Sequence, residues 1–213
     1  MDLNLFFKLR RQVELEDITL LYVDDKPDIY VSQYLKDYSN DKAKYIYKEL
    51  KFKSSDSYES LLKEKVLEMA DILLLDSMLF ENRDVGDSKI SGEELGLIIK
   101  KVFPFKEILI VTQFQEKLEY NTLKKYNSNT YSCTSDSFFK DNWDKALFEA
   151  TQNILLYRKI LNTISNKAYV EKCLLEKMEN SIKGISSYDN LEKADIDKLI
   201  AAFEEMKKSY EGQ

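Results

Sequence analysis

Histidine is missing from all 213 residues of the sequence, and cysteine, proline and glycine are scarce, at two, two and five. The missing imidazole excludes a phosphohistidine carrier, a histidine general base and the common histidine-rich metal sites. Cys133 and Cys173 stand far apart without metal-type spacing, which predicts reduced thiols held in packing rather than a disulfide or a zinc site. With 44% hydrophobic residues and so little proline and glycine, the chain lacks the composition of a disordered segment. It is long enough to bury one core and carry an appendage. Positive charge is short as well: the formal net charge is -6, so no basic face is supplied by excess, which argues against nucleic-acid binding. The opening MDLNLFFKLRRQVELED has too short an apolar stretch and too many charges for a signal peptide, and no later run approaches membrane-spanning length. A cytoplasmic protein is expected.

What the sequence does have is an alternation of short apolar runs and amphipathic stretches. ITLLYV (18–23) ends at Asp24 and Asp25, with Pro27 suited to the first turn of a following helix. That helix carries Val31, Tyr34, Leu35 and Tyr38 on one face and stops in SNDK. YIYKELKF (45–52) has strand character, and Asp56 or Ser57 is placed to cap a helix through Leu61, Leu62 and Val66. DILLLD (71–76) reads as a third strand. A helix from about Gly92 gathers Leu95, Ile98, Ile99 and Val102 and ends before Pro104. ILIVT (108–112) is a fourth strand, followed by a polar helix through Leu118 to Tyr126, a strand near DSFFK (136–140) and a helix from about Trp143. Near-continuous apolar strands separated by helices imply a parallel sheet covered on both faces.

Ligands of such a sheet bind beyond the carboxyl ends of its strands, so the residues at those ends matter most. They are Asp24 and Asp25, then Asp76, Thr112 and Lys140. Three carboxylates, a hydroxyl and an ammonium at one edge suit a hard divalent cation, Mg²⁺, beside a phosphoryl group. Asp76 is then placed as a carboxylate nucleophile, with the metal and Lys140 balancing its charge and Thr112 bonding a phosphoryl oxygen.

The order of these pieces, VDDKPD, LLLDSM, Gly92, IVTQ and FFKD, resembles the receiver domain of two-component response regulators over roughly residues 17 to 150. The resemblance implies a flavodoxin-like, doubly wound, five-stranded parallel sheet. It further implies Mg²⁺ on Asp24, Asp25, Asp76 and the backbone carbonyl of Met78, and phosphorylation of Asp76 by a partner histidine kinase or phosphotransfer protein. Several positions depart from the family pattern. Phe80 stands where proline is usual, Gln113 where a small residue follows the threonine, Asp141 where proline follows the lysine, and Ser137 where an aromatic switch residue is expected. A longer polar loop, FENRDVGDSK, precedes Gly92 and reads first as a plain solvated insertion, though it sits where it could gate the acceptor. Haloacid-dehalogenase-like phosphatases use similar groups, but there the nucleophile comes first and the acidic pair last, and Met78 stands where they carry a second aspartate. The resemblance implies no enzyme activity beyond self-phosphorylation from a donor and autodephosphorylation, the latter slow because Met78 and Phe114, at the positions that in the family help or hinder an attacking water, are both apolar.

Beyond the receiver, Leu147, Ala150, Ile154, Tyr157, Leu161, Ile164 and Ala168, then Leu175, Met178, Ile182 and Ile185, follow a three-four spacing. One helix from Trp143 to about Lys183, roughly 60 Å long at about 1.5 Å per residue, is expected to project from the receiver. A second amphipathic stretch, with Ile196, Leu199, Phe203, Met206 and Tyr210, is expected to return along it or to pair with a second chain. The predicted organisation is an N-terminal extension (1–16), a receiver (17–150) and a helical output segment (151–213). A stand-alone regulator signalling to an unknown downstream protein, homodimeric through these helices, is the leading expectation. A phosphorylation-independent pseudo-receiver ranks next, and a DNA-binding transcriptional regulator last.

Overall fold

The computed structural model describes residues 15–53, 56, 58–79, 91–114, 121–165 and 172–183. The elements are β1 (Glu16–Asp24), α1 (Ile29–Asp37), β2 (Ala43–Lys51), α2 (Tyr58–Leu62), α3 (Lys65–Met69) and β3 (Ile72–Asp76). They continue with α4 (Gly92–Val102), β4 (Glu107–Thr112), β5 (Thr122–Lys124), α5 (Ser135–Asn142), α6 (Asp144–Ser165) and α7 (Lys172–Ile182). All strand pairs are parallel, in the order β2-β1-β3-β4-β5. This is the flavodoxin-like doubly wound arrangement.

Period-two alternation divides the central strands between two cores. Ile18, Leu20 and Tyr22 of β1, Ile72 and Leu74 of β3, and Leu109 and Val111 of β4 face one side. There they meet Val31 and Leu35 of α1, Phe138 and Phe139 of α5, Trp143, and Leu147, Ala150 and Ile154 of α6. Leu21, Val23, Leu73, Leu75, Ile108 and Ile110 face the other side, under Leu61, Leu67, Leu95, Ile99 and Phe103. All five residues of β3 are buried, as a strand covered on both faces requires.

Local chemistry fixes the helix starts. The Asp28 side chain accepts from the amides of Tyr30 (2.8 Å) and Val31 (3.1 Å), capping α1, so Pro27 lies just outside the helix rather than in its first turn. Ser91 and Glu94 close a capping box on α4. The expected helix through Leu61 and Val66 is two short ones, α2 and α3. Lys106, just before β4, is buried and donates to the carbonyls of Glu68 (2.7 Å) and Ala70 (2.6 Å) at the end of α3. Burial pushes its ammonium pKa down to about 8, against the attraction of Asp71 and Glu68.

Three expectations fail after β4. Residues 122–124 form the fifth strand where a helix was expected, and the predicted strand at 136–140 is part of α5. The Thr134 side chain caps α5 by accepting from the Ser137 amide (3.3 Å), and the helix buries the adjacent Phe138 and Phe139 in an aromatic cluster with Tyr126, Tyr131 and Trp143. The single rod from Trp143 to Lys183 does not form. Cα atoms of α6 and α7 approach within 8 Å, whereas residues seven or more apart on one straight helix stand about 10 Å apart. Nor does the helix part from the sheet at Ala150. Ile154 belongs to the core, Tyr157 donates to Glu107 (3.1 Å), and Arg158 pairs with Asp71 (2.8 Å) and Glu16 (3.0 Å) at the amino edge of the sheet. Cys133 is exposed rather than packed. The N-terminal extension to residue 14, Phe80, most of the loop before Gly92, the seam positions Ala168 and Ile185, and the second amphipathic stretch lie outside the described residues. No helix among the described residues is long and apolar enough to cross a membrane.

Candidate functional site

Three residues of the site end strands, and Asp25 follows directly after the first of them. Asp24 closes β1, Asp76 closes β3, and Thr112 closes β4, next to β3 in the sheet. Asp24 and Asp76 are buried and Asp25 is half-buried, and ligand atoms of the three carboxylates lie within 4.8 Å of one another. They line a cavity of about 550 Å³ with Lys26, Pro27, Asp28, Ile29, Met78, Gln113 and Lys125.

The ammonium of the site is Lys125, not Lys140. Lys125 is the first residue after β5, and its amide bonds the Thr112 carbonyl (2.7 Å), extending the ladder by one step. Its Nζ lies 2.8 Å from Asp24 Oδ2 and 2.7 Å from Asp76 Oδ1. Lys140 is in the last turn of α5, exposed, because that helix buries Phe138 and Phe139 instead. A lone lysine after three strand residues with one apolar side chain gave little to find. The available signal was position: Lys125 directly follows the short alternating run Thr122-Leu123-Lys124.

The rest of the cluster is held by hydrogen bonds. Asp76 Oδ2 accepts from the Met78 amide (2.9 Å). Asp24 Oδ1 accepts from the Lys26 amide (2.8 Å), and Asp24 Oδ2 also accepts from the hydroxyl of the buried Tyr22. Thr112 Oγ1 accepts from Ser77 Oγ (3.0 Å) and from the Phe114 amide (3.2 Å). Neither Tyr22 nor Ser77 was expected at the site. The Gly92 amide bonds the Ser77 carbonyl (3.1 Å), and a Cβ at Gly92 would stand 2.2 Å from the carbonyl oxygen of Asp76, so only glycine permits α4 to begin this close to the strand tip. On the other side, the Trp143 indole donates to the carbonyl of Lys124 (2.8 Å), one residue before the site lysine.

Electrostatics follow from the geometry. Burial, with the nearby charge of Asp24, raises the Asp76 carboxyl above the ordinary range against the opposing pull of Lys125 and the Met78 amide. Burial alone would lower Lys125, but Asp76 and Asp24 outweigh it and hold the ammonium protonated. Burial first, then the charge of Asp24, keeps the Tyr22 phenol protonated far above its usual range. Three carboxylates against one ammonium leave a formal charge of -2, which is what a divalent cation neutralises.

No family model and no curated protein matches the chain. Among solved structures it is similar to a two-component transcriptional regulator AraC from Clostridium phytofermentans. The identity is 16%, the TM-score 0.39, and the match covers 67% of this chain and 98% of that one. It is also similar to RcsB dimers bound to two parallel DNAs, at 16% identity and a TM-score of 0.37 over 78% and 90% of the two chains. A complex of the two-component response regulator RcsB with DNA matches at 12% identity and 0.37 over 83% and 95%. The strand order β2-β1-β3-β4-β5, with a buried acidic cluster at the carboxyl edge, makes this chain a receiver-like α/β fold.

Proposed function

We propose that the chain is a phosphoryl-accepting switch in which Asp76 is the acceptor. The observation that carries this reading is Lys125, whose Nζ bridges Asp24 and Asp76 at 2.8 and 2.7 Å and so puts a fixed positive charge where a phosphoryl group would gain negative oxygens. A carboxylate oxygen of Asp76 attacks phosphorus. The bond from phosphorus to the donor breaks, the donor leaves with its electron pair, and an aspartyl phosphate remains. Thr112, buried at the end of β4, supplies the hydroxyl for a phosphoryl oxygen. The donor set fits Mg²⁺, which Asp24, Asp25, Asp76 and the Met78 carbonyl would hold and which would supply neutralisation of phosphoryl charge.

The donor in this reading is a histidine kinase or phosphotransfer protein. The output is a protein contact through α6, α7 and the residues that follow, with homodimerisation as its simplest form. Trp143 and α5 join the Lys124 carbonyl to the root of α6, giving a short physical route from the site to that helix. A second reading, a constitutive interaction module, is favoured by Gln113 on the cavity wall and by the ammonium already occupying the space between the two carboxylates. Intact mass after incubation with acetyl phosphate and Mg²⁺ separates the two. A single phosphoryl adduct that is absent in Asp76→Asn is expected; an unmodified wild-type chain would leave the constitutive module.

A further inference from the structure

We propose that Tyr22 is a positioning residue for the cation site, its hydroxyl holding Asp24 so that Oδ1 is the edge this carboxylate offers to a divalent cation. The inference rests on the metal-binding part of the function proposed above and adds a residue to it. Tyr22 and Asp24 are two apart on β1 and therefore project to the same side of the sheet. The Tyr22 ring is fully buried in the core with Leu20, Leu74 and Val111, so the packing of the core sets where the ring stands, and its hydroxyl also accepts a long bond (3.5 Å) from the Asp28 amide. Any apolar residue would fill that strand position. A buried phenol additionally needs a hydrogen-bond acceptor, and the acceptor it has is Asp24 Oδ2.

A carboxylate offers about four lone-pair sites, two on each oxygen. Oδ2 of Asp24 receives Tyr22 and Lys125, and Oδ1 receives the Lys26 amide. One site remains, on Oδ1. Asp24 would therefore be offered to a cation through Oδ1, while Tyr22 and Lys125 hold Oδ2. Phenylalanine at position 22 would fill the same volume and leave Oδ2 with Lys125 alone, a donor on a long flexible stem that is itself shared with Asp76. The carboxylate would then lose its rigid anchor.

Outer partners of this kind typically contribute tenfold or more to metal affinity, so Tyr22→Phe is expected to weaken Mg²⁺ binding by about tenfold. The test is calorimetric titration of the full chain with MgCl₂, wild type beside Tyr22→Phe and Tyr34→Phe, with thermal denaturation in EDTA to show that each variant is folded. Tyr34 is the control, since its hydroxyl bonds Asp144, away from the cluster. Weakening confined to Tyr22→Phe supports the proposal. Equal affinity in wild type and Tyr22→Phe, or equal weakening in both variants, overturns it and leaves the metal site standing. Absence of Mg²⁺ binding by the wild-type chain overturns both.

Discussion

At the residue scale the cluster is a balance of buried charges, and two substitutions read that balance from opposite sides. Removing the ammonium with Lys125→Met leaves Asp24 and Asp76 facing each other without a counter-charge. Breaking a largely buried pair in this way costs about 3 kcal/mol, whereas Lys140→Met on the exposed side of α5 should stay within about 0.5 kcal/mol. Urea denaturation of the two variants tests which lysine belongs to the site. Asp76 behaves differently. Its carboxyl is raised in the folded chain, so the folded state holds this proton more tightly than the unfolded state does. The stability it contributes is complete below the ordinary value of 3.8 and is lost as pH rises through the folded pKa. Asp76→Asn, which cannot ionise, should therefore raise the denaturation midpoint at pH 7 and lose that advantage near pH 4. A variant less stable than wild type at pH 7 would contradict the direction of this shift.

At the scale of the element, α6 is more deeply part of the domain than its heptad pattern implies. Ending the chain at Ala150 deletes Ile154 from the core, worth about 2 to 5 kcal/mol by large-to-small precedent, and with it the Arg158 pairs to Asp71 and Glu16. A chain ending at Ser165 should melt cooperatively near the full-length value, and one ending at Ala150 should melt far lower or not fold. Differential scanning calorimetry decides. The elements also differ in how legible they are. β1, β3, β4, α1 and α4 announce themselves through unbroken apolar runs and helical apolar spacing, and three of the site residues fall at ends of those strands. β5 does not, because three residues with a single buried side chain, Leu123, give no periodicity to read. The doublet Phe138-Phe139 mimics a strand, yet Thr134 as an N-cap with Asp136 in the first turn and Lys140 in the last is a helix signature. Misplacing β5 is what misplaced the lysine. Similarly, a continuous heptad spacing gives no sign of where a rod is interrupted, and the approach of α6 to α7 within 8 Å is not readable from it.

For the whole molecule, the two cores differ in chemistry as well as position. The face under α1, α5 and α6 is rich in rings, with Tyr34, Phe139 and Trp143 in mutual contact, and the face under α2, α3 and α4 is aliphatic apart from Phe52 and Phe103. Lys106 is buried at the edge of the second face, against the Phe103 ring and the carbonyls of Glu68 and Ala70. With its pKa lowered to about 8 from an ordinary 10.5, the unfolded chain binds more protons than the folded one between those values. Stability should thus rise as pH climbs from about 8 towards 10, above which tyrosines buried in the folded state begin to oppose it. Lys106→Met should flatten that slope, as measured by chemical denaturation at several pH values.

β3 is hydrogen-bonded on both edges, to β1 and β4, and every one of its side chains is buried. Its amides should accordingly be the last in the molecule to exchange with deuterated solvent, opening only when the whole domain unfolds. The carboxylate of Asp76 is thus mounted on a strand held on both edges and covered on both faces. Any event there must be transmitted by movement of what surrounds it: the tips of β1 and β4, the Lys125 side chain behind the three-residue β5, and the start of α4 pressed against its carbonyl. The strand tip is the anvil, and the adaptable parts are arranged around it.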